Sequence, residues 1–174
     1  MPRHYSAALP IAYVFMRVII VLNWLSGAAI LALLTATLVA RDWTMAALGI
    51  EPSSGIPQML AGLQMIAALG LVAIPLNHIV LKRLLAIVET VRRGDPFIAA
   101  NAERLQAIAW VLLALQLLSL VIGGIGKALS TPAYPLHLDA GFSTSGWLAV
   151  LLTFVLARVF AEGTLMREEL EGTV

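Results

Sequence analysis

The sequence predicts an all-α integral membrane protein. It is read as a bundle of four transmembrane helices, both termini cytoplasmic, with a cytoplasmic helical hairpin between spans two and three. Three observations carry this reading. Four long windows lack charged residues, the Lys and Arg residues gather on alternate connections, and the tryptophans fall near the window ends. Charged residues make up 12% of the chain and hydrophobic ones 60%. An average soluble domain has about 25% charged residues.

The windows predict spans at about 18–40, 57–81, 105–126 and 140–157. About 20 apolar residues cross the hydrocarbon core as a helix, so each window is long enough, the last only just. The first apolar run is too long for a signal-peptide core and is interrupted upstream by Arg17, so it reads as a retained membrane helix. In the second window the stretch Pro52-Ser-Ser-Gly-Ile-Pro57 reads as loop, and Pro57 suits a first helical turn.

Orientation follows from the basic residues. Arg3, Arg17, Lys82, Arg83, Arg92, Arg93, Arg104, Arg158 and Arg167 fall on one side, nine of the 11; Arg41 and Lys127 fall on the other. The positive-inside rule places the nine in the cytoplasm. Trp24, Trp43, Trp110 and Trp147 lie within a few residues of a predicted interface, where aromatic belts form. The 174 residues form one membrane domain, with a hairpin at 82–104 and a tail at 158–174.

Within the spans, small and polar residues must hold the helices together, because lipid offers no hydrophobic drive for their association. Ala28, Ala32, Ala36 and Ala40 give the first span a smooth face that permits close helix approach within the bundle or between copies, with packing inside the bundle the first expectation. Each span carries polar atoms, Asn23, Gln64, Gln116 and Thr153 among them, where interhelical hydrogen bonding is the expected use. No Asp, Glu, Lys or Arg lies deep in a span, which argues against proton coupling. His78 follows Pro75 and Asn77 near the inner end of the second span, where a kink with exposed carbonyls and a histidine bonded to water or headgroups are expected.

In the hairpin, Leu81, Leu84, Leu85, Val88 and Val91 recur at helical spacing, so the second helix should continue into the cytoplasm. Glu89 and Arg93 are placed to pair at i,i+4. Gly94 is the expected helix stop. Asp95-Pro96 then reads as an N-cap followed by a first helical residue, and Asn101 as a second cap candidate, with Glu103 against the positive end of the third helix. Phe97 and Ile98 are apolar in a polar turn, and either tuck beneath the bundle or face a partner.

No catalytic constellation emerges. There is no cysteine, and His4, His78 and His137 form no ligand pair, so neither a metal site nor a cofactor is expected. His137 and Asp139 in a Pro-rich loop make only a weak metal-site candidate. A net charge of +1 gives no field for direct nucleic-acid binding.

Gly94-Asp95-Pro96-Phe97, then Asn101, Leu105 and Ile108, resemble the pattern G-x-P-F-x-x-x-N-x-x-x-L-x-x-I of a bacterial membrane family known as domain of unknown function 2975. The end, Arg167-Glu168-Glu169-Leu170-Glu171-Gly172-Thr173-Val174, resembles its acidic ending, roughly E-x-D-L-T-V. The family has no assigned activity. The resemblance implies a setting beside a small helix-turn-helix regulator of the Cro/cI type, and so a protein of the bacterial cytoplasmic membrane that holds, releases or tunes a repressor. On this reading the partner-binding residues are Arg92, Arg93, Asp95, Phe97, Asn101, Arg104, Glu168 and Glu169, and the chain is not an enzyme. An acidic tail would compete with DNA for the basic face of such a regulator. The alternatives are a small-molecule transporter or channel, with copies pairing as homo-oligomers, and protection against a membrane-active toxin through the outer loops.

Overall fold

A computed structural model describes residues 8–39, 56–130 and 140–171. Among these every regular element is a helix: α1 (Ala8–Val39), α2 (Ile56–Arg92), α3 (Ala99–Leu129) and α4 (Thr144–Glu171). All four are long and apolar enough to cross a membrane. At 1.5 Å per residue, α1 to α4 measure roughly 48, 55, 46 and 42 Å, against about 30 Å of hydrocarbon. The surplus is the first finding, because it takes helix well past the charge-free windows.

The predicted spans therefore mark only the apolar parts of longer helices. α2 runs on from residue 81 to Arg92, as the apolar spacing indicates. α3 begins at Ala99, six residues before the expected 105, and α4 continues through Arg158 to Glu171. A charge ends an apolar window without ending a helix, since long charged side chains reach water from a helical backbone. Ala40, Trp43, His137, Asp139 and the outer loops lie outside the described residues.

Each helix packs against its neighbour in sequence: α1 on α2, α2 on α3, α3 on α4. Among the described residues α1 and α4 do not meet, so the bundle is an open row. Leu105, Ile108, Ala109, Val150 and Ala157 are the best-buried apolar residues of α3 and α4. Large apolar side chains such as Val14, Leu22, Leu151 and Val159 are more than half exposed, as lipid-facing positions must be.

The α1–α2 seam uses Gly27, where an added Cβ would lie 3.0 Å from Ile74 Cγ2. Asn23 Nδ2 donates to the Ile74 carbonyl at 3.1 Å, and Gln64 Nε2 to Thr37 Oγ1 at 3.4 Å, so Asn23 and Gln64 bridge helices as expected. Thr153 does not: it bonds the Ala149 carbonyl of its own helix. The alanine stripe is also a correction. Ala28 and Ala32 are exposed, and Gly27, one residue away, makes the close approach instead. A missing Cβ admits a facing isoleucine that would have to give by a few tenths of an ångström for alanine.

α2 passes through Pro75 unbroken, and the carbonyl just before it is the one Asn23 binds. His78 meets Trp24, its Nδ1 accepting from Trp24 Nε1 at 3.2 Å. At the end of the row remote from the hairpin, Gly123 lies against the backbone of Gly141, where a Cβ would be 2.5 Å from Gly141 Cα. Ser143 then starts α4 by accepting the Gly146 N–H on its Oγ at 3.2 Å.

Candidate functional site: the hairpin end

The hairpin begins where Gly94 closes α2. With φ of 88° it takes a conformation that glycine adopts without strain. Its N–H donates to the Val91 carbonyl and that of Asp95 to the Thr90 carbonyl, both at 3.1 Å. That pair of bonds is the Schellman motif, and it satisfies carbonyls left over at the helix end.

The expected restart does not follow. Residues 95–98 are not helical, and Ile98 precedes the first turn of α3 with no side-chain cap. Asp95 is therefore no N-cap; its carboxylate is taken by Arg167. Asn101 is no cap either. It sits in the first turn of α3 with its side chain turned inward, 0% exposed.

Asn101 is the lock of the turn. Its Nδ2 donates to Thr90 Oγ1 at 2.7 Å and to the Pro96 carbonyl at 2.8 Å. Its Oδ1 accepts from Arg104 Nη1 at 2.7 Å. One amide thus joins the last turns of α2, the non-helical linker and α3. Carboxamide is the one neutral side-chain group that offers two N–H donors and an acceptor together.

The tail is latched onto this turn. Arg167 Nη1 donates to Asp95 Oδ1 at 2.7 Å. Phe97 lies 5.1 Å from the Phe160 ring, and a Cβ on Gly163 would come within 3.0 Å of its Cδ1. So Phe97 tucks against α4, although 42% of it stays exposed. Near the start of α1, the Tyr13 ring lies under the Arg92 guanidinium at 5.3 Å. The first turns of α1 and the last turns of α4 thus meet the hairpin at one end of the row.

The eight candidate partner residues divide accordingly. Asn101 and Arg104 are tied inward. Arg92 and Arg93 pair with Glu89 at 3.5 and 3.1 Å, the second being the expected i,i+4 pair. Asp95 and Phe97 form the latch. Glu168 and Glu169 are exposed on α4. Residues missed by sequence reasoning are Thr90, Phe160, Gly163 and Arg167. Only Arg167 left a trace, as the lone cation in the acidic stretch from Glu162 onward.

Between the first turns of α3 and the last turns of α4 runs a groove of about 470 Å³. It is walled by Ala99, Ala102, Glu103 and Gln106 on one side and Phe154, Ala157, Ala161 and Glu168 on the other. A recess of about 230 Å³ beside Asp95, Phe97 and Arg167 shares Ala99, Thr164 and Glu168 with it. Gln116, a polar residue of the third span, lies outside the groove; it packs on Gly146, and its Oε1 and Trp147 Nε1 are buried without partners among the described residues. Nor do the described residues bring together three metal-ligating side chains.

The model of a family described as "Protein of unknown function (DUF2975)" matches residues 65–174. That stretch contains the turn, the latch and the groove. No curated protein and no solved structure matches the chain.

Proposed function

The chain belongs to the DUF2975 family, and we propose that it is a non-enzymatic regulatory protein of the bacterial cytoplasmic membrane whose hairpin and tail together dock a cytoplasmic protein. The observation that carries this is the Asp95–Arg167 latch, with Phe97 set against Phe160 and Gly163. It joins two segments 72 residues apart into one surface. A frayed tail would have to be ordered on binding, at an entropic cost that a docked helix has already met.

The nine-to-two distribution of Lys and Arg supports a cytoplasmic position for this end. The partner expected there is a small helix-turn-helix regulator, whose basic face would meet the carboxylates of the tail.

The test is affinity capture from native membranes in mild detergent, read by mass spectrometry. The wild type should enrich a helix-turn-helix protein, and both a variant lacking residues 166–174 and the triple variant R92A/R93A/D95A should lose it. If the wild type enriches no cytoplasmic protein, the reading fails, and the hairpin reduces to a topological device.

A further inference from the structure

The carboxylates at the hairpin end are not equally committed. Glu89 is paired with Arg92 and Arg93, Asp95 with Arg167, and Glu162 with Arg158. Among the described residues Glu103 and Glu168 have no ion-pair partner, and both line the same groove, from α3 and α4 respectively. Arg158 also lines it, but Glu162 neutralises its charge. The groove therefore carries two uncompensated negative charges, one on each wall.

Phe154, Ala157 and Ala161 give the α4 wall an apolar stretch, and Phe154 is held edge-on by Trp110 at 5.2 Å. Along α3 no charge follows Arg104 until Lys127, and along α4 none precedes Arg158. The groove thus straddles the level where the charged residues of both helices begin. Its volume of about 470 Å³ falls within the roughly 300–1,000 Å³ of small-molecule sites.

We propose that this groove binds an amphiphilic organic cation, its charged centre between Glu103 and Glu168 and its apolar part along Phe154, Ala157 and Ala161. Three features select that class: two unpaired carboxylates, an apolar floor, and a position at the boundary where amphiphiles collect. An anion would meet uncompensated like charge, and a neutral hydrocarbon would leave both carboxylates without a counter-charge. The site abuts the Asp95–Arg167 latch through Glu168, so an occupant sits beside the surface assigned to partner docking. The binding itself is independent of any partner.

Tetraphenylphosphonium and tetraphenylborate have the same shape and opposite charge, and serve as probes. Equilibrium dialysis against the full chain in lipid nanodiscs, with empty nanodiscs as the blank, should show saturable binding of the phosphonium alone. Each of Glu103→Gln and Glu168→Gln should weaken it about two- to fivefold, the range expected for removing one exposed opposite charge. The double variant should weaken it about tenfold if the two add. Both variants keep the paired carboxylates, and unchanged helicity by circular dichroism verifies folding. Equal binding of phosphonium and borate, or unaltered binding in the double variant, overturns the proposal. So does a lysine-rich helical peptide that binds in a Glu103- and Glu168-dependent way where the phosphonium does not, for the groove would then read a protein. Partner capture has a different readout, and Glu103 lies outside the residues assigned to docking, so Glu103→Gln separates the two results.

Discussion

Replacing Asn101 by alanine should open the turn while leaving the membrane helices in place. The side chain is 0% exposed and makes three hydrogen bonds. The two neutral ones, to Thr90 and Pro96, contribute about 1 kcal/mol each, and the charge-assisted one from Arg104 roughly 1.5–3 kcal/mol. Thr90 and Arg104 are only half-buried and recover part of this from water, whereas the Pro96 carbonyl loses its side-chain donor. A net local cost of about 3 kcal/mol follows. The amides to watch are those of Gly94, Asp95 and Asn101, each bonded within the turn. At 1.4 kcal/mol per tenfold, their hydrogen exchange in nanodiscs should accelerate about 100-fold wherever reclosing outruns exchange. Amides in the middle of α3 should be unaffected. Arg104→Ala spares both Nδ2 bonds and should accelerate exchange only about tenfold. If exchange in the Asn101→Ala protein stays within about threefold of wild type, the amide is not what holds the turn, and this account of it is wrong.

Other consequences are as direct. Gly123→Ala drives a Cβ into the backbone of Ala140 and Gly141, which cannot yield as a side chain would, and should cost about 2–3 kcal/mol of thermal stability in detergent. Gly124→Ala, with nothing within 4 Å, should be neutral or stabilising by up to about 1 kcal/mol. The Asp95–Arg167 pair is about half exposed and should couple by only about 0.2–1 kcal/mol in a double-mutant cycle, fading with added salt. Because the chain has no cysteine, Arg93→Cys introduces a single thiol. A membrane-impermeant maleimide should label it in inside-out vesicles and not in intact cells, and the opposite pattern reverses the proposed orientation.

Membrane spanning was legible because it depends on composition summed over 20 residues, and no single contact decides it. Gly94 was legible for a local reason, since the helix stop needs only the φ that glycine permits. What escaped was set by residues far apart in sequence. Asp95 reads as a cap from its neighbours Gly94 and Pro96, yet its partner lies 72 positions away. Asn101 reads as a cap because asparagine often is one, and nothing nearby shows that Thr90 and Pro96 converge on it. The alanine stripe misled for the opposite reason. Four-residue spacing marks a smooth face but not whether that face looks inward, and in the α1–α2 seam it is Gly27 that lies against Ile74.

The same sorting bears on how the docking surface must be probed. Arg92, Arg93 and Asp95 already hold intramolecular partners, and Asn101 and Arg104 hold the turn. Their replacement removes a contact and loosens the platform together, so loss of a regulator in the triple variant mixes the two effects. Lys82, Arg83 and Glu168 are different, for among the described residues they carry no ion pair and their side-chain charges are uncommitted. Replacing them changes the field a partner meets while leaving the lock and latch intact. A regulator that dissociates on Glu168→Gln, with turn amides exchanging as in wild type, is lost through contact. One that dissociates only when those amides also speed up was bound to the shape that Asn101 maintains.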